Sequence, residues 1–169
     1  MKDLDIWLVP SSIRTGEIAR VLREGYDVGL LNEGFHSLIE SLNLDYLFID
    51  THPGLNEETL LSIAISNALV IILRPDTQDF QGTAVTVDVA RKLDVQHLRL
   101  VVNKALTRYD FDKVKADISA TYNVPVSGVL PMSEDVAANA SNNIFSAIEP
   151  DHPWSVTVRE IADDLMTDD

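Results

Sequence analysis

Leu44-Asp45-Tyr46-Leu47-Phe48-Ile49-Asp50-Thr51-His52-Pro53-Gly54 is an apolar run that closes on an acid and then on a Pro-Gly turn. A short apolar run bounded by turn residues reads as a buried strand, and in open α/β sheets ligands bind beyond the carboxyl ends of the strands. Asp50 therefore stands where a sheet of that class places its chemistry. A parallel strand that merely happens to end in Asp is the competing reading, and the Thr-x-Pro-Gly that follows weighs against it.

Working outward, the same strand form recurs. Ala68-Leu69-Val70-Ile71-Ile72-Leu73-Arg74-Pro75 is continuously apolar, as is the core of Leu98-Arg99-Leu100-Val101-Val102-Asn103-Lys104. A shorter strand is predicted over Val126 to Leu130, and Asp5-Ile6-Trp7-Leu8-Val9-Pro10 reads as an N-terminal one. Between them, helical periodicity is predicted over about 14–24, 29–42, 56–66, 78–93, 110–121, 133–140 and 154–166. Strands alternating with helices give parallel β-α-β units with both sheet faces covered. The expected fold is α/β, a three-layer sandwich with a mainly parallel sheet, in a single domain spanning 1–169.

Composition narrows the function classes. With 169 residues and 46% hydrophobic content the chain can bury a sizeable core. It holds no cysteine, which excludes disulfides, thiolate metal sites and cysteine nucleophiles. A net charge of −14 opposes attraction to DNA phosphates or to an anionic bilayer. The C-terminal stretch Arg159 to Met166 is amphipathic but acidic, whereas a membrane-surface helix carries Lys or Arg on its polar face. Direct DNA or membrane binding is thus not supported, and the expected location is cytoplasmic.

Other chemistry finds little support. The histidines His36, His52, His97 and His152 share no ligand spacing with an acid. Ser11-Ser12 lacks the Gly-x-Ser-x-Gly setting of a nucleophile turn. Glu57 and Glu58 follow Asn56 at a helix start, where they complement the helix dipole.

Four segments in order carry a resemblance: the run ending Asp50-Thr51-His52-Pro53-Gly54, which has the form of a Walker B strand; the loop Arg74 to Gly82; Val101-Val102-Asn103-Lys104; and Gly128-Val129-Leu130-Pro131-Met132-Ser133-Glu134-Asp135. Together they resemble the MinD/ParA family of deviant P-loop ATPases over nearly the whole chain. The resemblance implies that Asp50 links to Mg²⁺ through water, that Thr51, Pro53 and Gly54 form a nucleotide-sensing switch, and that Asn103 with Pro131, Met132 and Ser133 holds the adenine base. It implies ATP and Mg²⁺ as cofactors, a nucleotide-favoured homodimer, and a protein partner or cargo adaptor. The corresponding function is an ATP-dependent switch that partitions or positions a cellular cargo, as in plasmid or chromosome partition and cell division. A side-chain amide suits a base pocket because it offers both donor and acceptor.

One family element is missing. Lys2, Lys92, Lys104, Lys113 and Lys115 are followed by Asp, Leu, Ala, Val and Ala, so none completes Gly-Lys-Ser/Thr. Without that loop the triphosphate lacks its cradle of backbone N–H groups, and efficient hydrolysis by this chain alone is not expected; no catalytic residue is assigned. The expectation is a P-loop-NTPase-like fold lacking its first strand and phosphate loop, either as a fragment or as a natural short form. The alternative is a non-catalytic protein-interaction module with a vestigial pocket. Loss of that first strand also predicts unpaired backbone edges, and with them self-association or lowered stability.

Overall fold

The computed structural model describes residues 5–10, 28–52 and 54–167, and the chain divides into two compact units, 1–48 and 49–169. In the first, helix α1 spans Val28–Leu42. The helix expected near 14–24 lies outside the described residues. In the second, the elements run α2 (Glu57–Ile65), β1 (Ala68–Leu73), α3 (Thr77–Lys92), β2 (His97–Ala105), α4 (Phe111–Tyr122), β3 (Val126–Pro131), α5 (Glu134–Asn139), α6 (Phe145–Ile148) and α7 (Pro153–Met166). The short α6 is the one of these that periodicity did not anticipate, because a single turn is too short to show a period.

The three strands form a parallel sheet in the order β1-β2-β3. Sequential order with right-handed crossovers sends both connecting helices to the same face. There Val87 of α3 and Ile118 and Tyr122 of α4 pack on Ile71, Leu73, Leu100, Val102 and Val129. The opposite face is covered by α7, whose Ile161, Trp154, Val158 and Leu165 meet Val70, Val101 and Leu130. Leu100, Val101 and Val102 are buried in succession, the mark of a central strand covered on both faces. The three-layer α/β arrangement with a parallel sheet is therefore present in this unit.

Local signals set the helix ends. Asp76 caps α3 by accepting N–H bonds from Gln78 and Asp79 at 3.1 and 3.0 Å, and Asp110 caps α4 through Lys113 N–H at 3.1 Å. Asn123, at φ 50°, ends α4 in the left-handed conformation. Its last carbonyls are held by Arg91, whose Nη2 donates to Tyr122 O at 2.6 Å and Asn123 O at 3.2 Å. Pro153 opens α7, and His152 Nδ1 accepts the Trp154 N–H at 3.1 Å.

Two expected strands are not strands. Asp5–Pro10 joins no ladder, and Ile6, Trp7, Leu8 and Val9 are exposed. Leu44–Asp50 is likewise unpaired. Along it Tyr46, Phe48 and Asp50 are exposed while Leu47 and Ile49 are half-buried, the alternation of an extended segment, and the Tyr46 and Phe48 rings lie 6.4 Å apart. The backbone is extended as the apolar run predicts. A strand, however, exists only through hydrogen bonds to a neighbour, and periodicity cannot supply the neighbour.

Candidate functional site

The carboxyl ends of β2 and β3 bring near one another the residues that the resemblance assigns to the base, Asn103 on one and Pro131 to Ser133 on the other. Between Val102 and Ala105 the β2–β3 register shifts, three steps on β2 opposing two on β3 from Val129 to Pro131. The extra residue falls at Asn103-Lys104, where Lys104 takes φ 56°. Asn103 Oδ1 accepts the Lys104 N–H at 2.8 Å and steadies this turn of the backbone. Bulges of this kind redirect side chains and cluster beside sites. Asn103 is half-buried, and its Nδ2 hydrogens are not used by that bond.

Across the strand pair, Ala105 lies opposite Pro131, and the Met132 N–H donates to Ala105 O at 2.8 Å. Ser133 Oγ accepts the Val136 N–H at 3.2 Å and so caps α5. Met132 remains exposed. With Leu106, Thr107, Arg108 and Glu134 it lines an open depression of about 240 Å³. Pockets for drug-sized ligands run to about 300–1,000 Å³, so this one suits a heterocyclic base rather than a whole nucleotide triphosphate. Asn103 stands on the adjoining strand end rather than in the lining. Leu106, Thr107, Arg108 and Glu134 were not singled out in the sequence; their one signal was adjacency to Asn103 and Ser133 in the chain.

The depression includes none of Asp50 to Gly54, the residues that the resemblance assigns to Mg²⁺ and the switch. Asp50 and Thr51 are exposed, and Pro53 lies outside the described residues. Gly54 takes φ 105°, a conformation that glycine adopts without steric cost. Asn56 then caps α2, accepting the Thr59 N–H at 2.8 Å. Among the described residues no group of three His, Asp or Glu is arranged to hold a metal ion. The depression has room for a heterocyclic base, and among the described residues no backbone cradle for phosphates adjoins it.

At the carboxyl end of β1, Arg74 grips Asp79 through three bonds. Its backbone N–H and Nε donate to Oδ2 at 2.8 and 3.1 Å, and Nη2 donates to Oδ1 at 3.1 Å. These bonds from Arg74 hold the Asp79 carboxyl below its ordinary value and, with Asp76 nearby, raise the guanidinium's. The pair locks the β1–α3 loop, one of the segments quoted for the family resemblance. No helix among the described residues is long and apolar enough to cross a membrane.

No protein-family model matches the chain, and no curated protein sequence does. Solved structures do. A MinD cell division protein from Aquifex aeolicus superposes with a TM-score of 0.70 at 17% identity, over 83% of this chain and 61% of that one. The MinC:MinD cell division protein complex from the same organism matches with a TM-score of 0.69 at 17% identity, over 83% and 60%. A ParA family ATPase from Chlorobium tepidum TLS matches with a TM-score of 0.70 at 17% identity, over 89% and 60%. This chain thus spans about three-fifths of the length of the structures it matches. The architecture it shares with them, a parallel sheet between helical layers, is the fold of the MinD and ParA ATPases.

Proposed function

We propose that this chain is a MinD/ParA-like ATP-binding switch module that serves the partitioning or positioning of a cellular cargo and does not hydrolyse ATP efficiently alone. In this reading Asn103 presents its amide to the adenine edge, and Pro131, Met132 and Ser133 shape the wall beside it. Asp50 would hold Mg²⁺ through its water shell, with Thr51, Pro53 and Gly54 as the segment that senses the terminal phosphate. When bound, Mg²⁺ supplies charge neutralisation between phosphate oxygens. The chain's own residues bind and orient the base. A homodimer, a protein partner or cargo adaptor, and a cytoplasmic setting belong to the same proposal.

The observation that carries it is the convergence of two separate segments, Leu106 to Arg108 and Met132 with Glu134, around an open depression at the carboxyl ends of adjacent parallel strands, with Asn103 on the adjoining strand end. In open α/β sheets ligands bind at that end. The competing reading, an interaction module with a vestigial pocket, draws its support from the exposed Asp50 and the unpaired Leu44–Asp50 segment.

Calorimetric titration of the purified chain with ATP, with and without Mg²⁺ and with GTP as control, tests the proposal. Saturable, adenine-selective binding is expected. Absence of any binding, or equal affinity for GTP, would overturn the base-pocket assignment and favour the interaction module.

A further inference from the structure

Met132 and Glu134, at the start of α5, line the depression, yet α5 buries none of its residues. A helix without a buried face depends on polar ties, and elements of that kind are the first to open. At the far end of α5, Asn139 Nδ2 donates to Asn143 O at 2.8 Å. At the near end, Asp135 Oδ2 lies 3.4 Å from Nε2 of His152, the residue that leads into α7. His152 is the firmly seated partner. Its Nδ1 accepts the Trp154 N–H, so the hydrogen of the neutral ring is on Nε2, the atom beside Asp135. The buried Phe145 ring meets the imidazole edge-on at 5.1 Å and the Trp154 ring at 6.0 Å. Arg159 Nη2 donates to Pro150 O at 2.7 Å and the His152 N–H to Glu149 O at 3.3 Å, which fixes the backbone ahead of α7.

We infer that His152 is a positioning residue for the depression: through Asp135 it ties α5 to the start of α7 and so sets where Met132 and Glu134 stand when a ligand is bound. The inference rests on the adenine site of the proposed function. His152 does not line the depression, and its effect passes through Asp135, the chain neighbour of Glu134. One imidazole serves two helices, an acceptor for the first turn of α7 on one nitrogen and a hydrogen for the Asp135 carboxylate on the other. Each contact holds the ring in the orientation that the other needs. Because the Asp135 side chain is 76% exposed, the tie is modest in strength, and it matters because α5 has no buried side chain to hold it otherwise.

The test is a double-mutant cycle on the full chain with His152→Asn and Asp135→Ala. Asparagine caps helices well, so His152→Asn keeps an acceptor for α7 while it withdraws Nε2 from Asp135. Asp135→Ala leaves that cap untouched, and urea unfolding checks that each variant folds. Hydrogen exchange without ligand reads α5 directly, and calorimetry with ATP reads the site. Each single substitution is expected to speed exchange of the Val136 to Asn139 amides and to weaken ATP binding about two- to fivefold. Both effects of His152→Asn should vanish in the Asp135→Ala background. A residue that only caps α7 would leave α5 exchange and ATP affinity unchanged in His152→Asn. Unchanged α5 exchange, additive effects of the two substitutions, or a loosened α5 with unaltered ATP affinity would each overturn the inference. If the wild type binds no ATP, the nucleotide reading falls and the positioning role with it, while the exchange cycle separately upholds or removes the His152–Asp135 tie.

Discussion

Gly128 lies so close beneath Ile161 that a Cβ at position 128 would stand 2.6 Å from Ile161 Cγ1 and 2.7 Å from its Cδ1. The missing side chain in β3 is what lets α7 approach the sheet. Ile161 is itself buried, with Val101 and Leu130 around it, and Thr157 is 3.4 Å from the same point. Gly128→Ala should therefore destabilise the fold by about 1–3 kcal/mol, as overpacking does. Adding Ile161→Ala should recover part of that loss in a double-mutant cycle of urea unfolding. Strict additivity of the two changes would show that the close approach has no energetic weight.

Lys104 offers a test of opposite sign. At φ 56° a side chain costs about 1 kcal/mol relative to glycine, so Lys104→Gly should be more stable than Lys104→Ala by about that amount. In an ordinary strand the order is reversed, and a reversed order in thermal unfolding would mean that the bulge is not populated in solution.

Asn103→Ala removes both the amide offered to the base and the acceptor for the Lys104 N–H. Under the proposed function it should abolish most of the preference for ATP over GTP in calorimetry, with a stability loss of about 1 kcal/mol from the lost bond. Unchanged discrimination would remove Asn103 from the base pocket.

The Arg74–Asp79 fork predicts a pH dependence. Asp79 has its folded-state pKa lowered by the bonds from Arg74, so its contribution to stability is fully present above the ordinary carboxylate value. It is lost as pH falls through the lowered one. Because Arg74 is exposed and Asp79 still partly open to solvent, the effect is small. Asp79→Asn should lower stability slightly at neutral pH and converge with the wild type at low pH, so that the acid limb of its profile is flatter; an identical acid limb in the variant would refute the assignment.

If the exposed Asp50 serves Mg²⁺ rather than folding, Asp50→Asn should leave the melting temperature within about 1–2 °C of the wild type, since surface substitutions usually stay within about 0.5 kcal/mol. Any Mg²⁺-dependent increment in ATP affinity should disappear. A large loss of thermal stability would make Asp50 a structural residue instead.

Much of this architecture was legible before any coordinates. Leu100 to Val102 is a run that a central strand covered on both faces buries, and Glu57 and Glu58 after Asn56 mark the start of α2, which Asn56 caps. These are local properties, set by the period of the side chains and by the reach of a short polar group to nearby N–H groups. Absence of the Gly-Lys-Ser/Thr loop was equally plain, since it is a matter of composition.

Tertiary structure alone decided the pairings. Leu44–Asp50 has the same apolar character as β1 but ends unpaired and exposed in part, because a ladder needs a partner at a fixed distance and no single segment encodes one. The register shift that sets Asn103 and Lys104 apart, the meeting of Met132 with Ala105, and the seat of Ile161 over Gly128 join residues distant in the chain. Residue types and their spacing thus determined which segments become strands and helices. Which of them meet, and therefore where the depression beside Met132 lies, followed from three-dimensional packing.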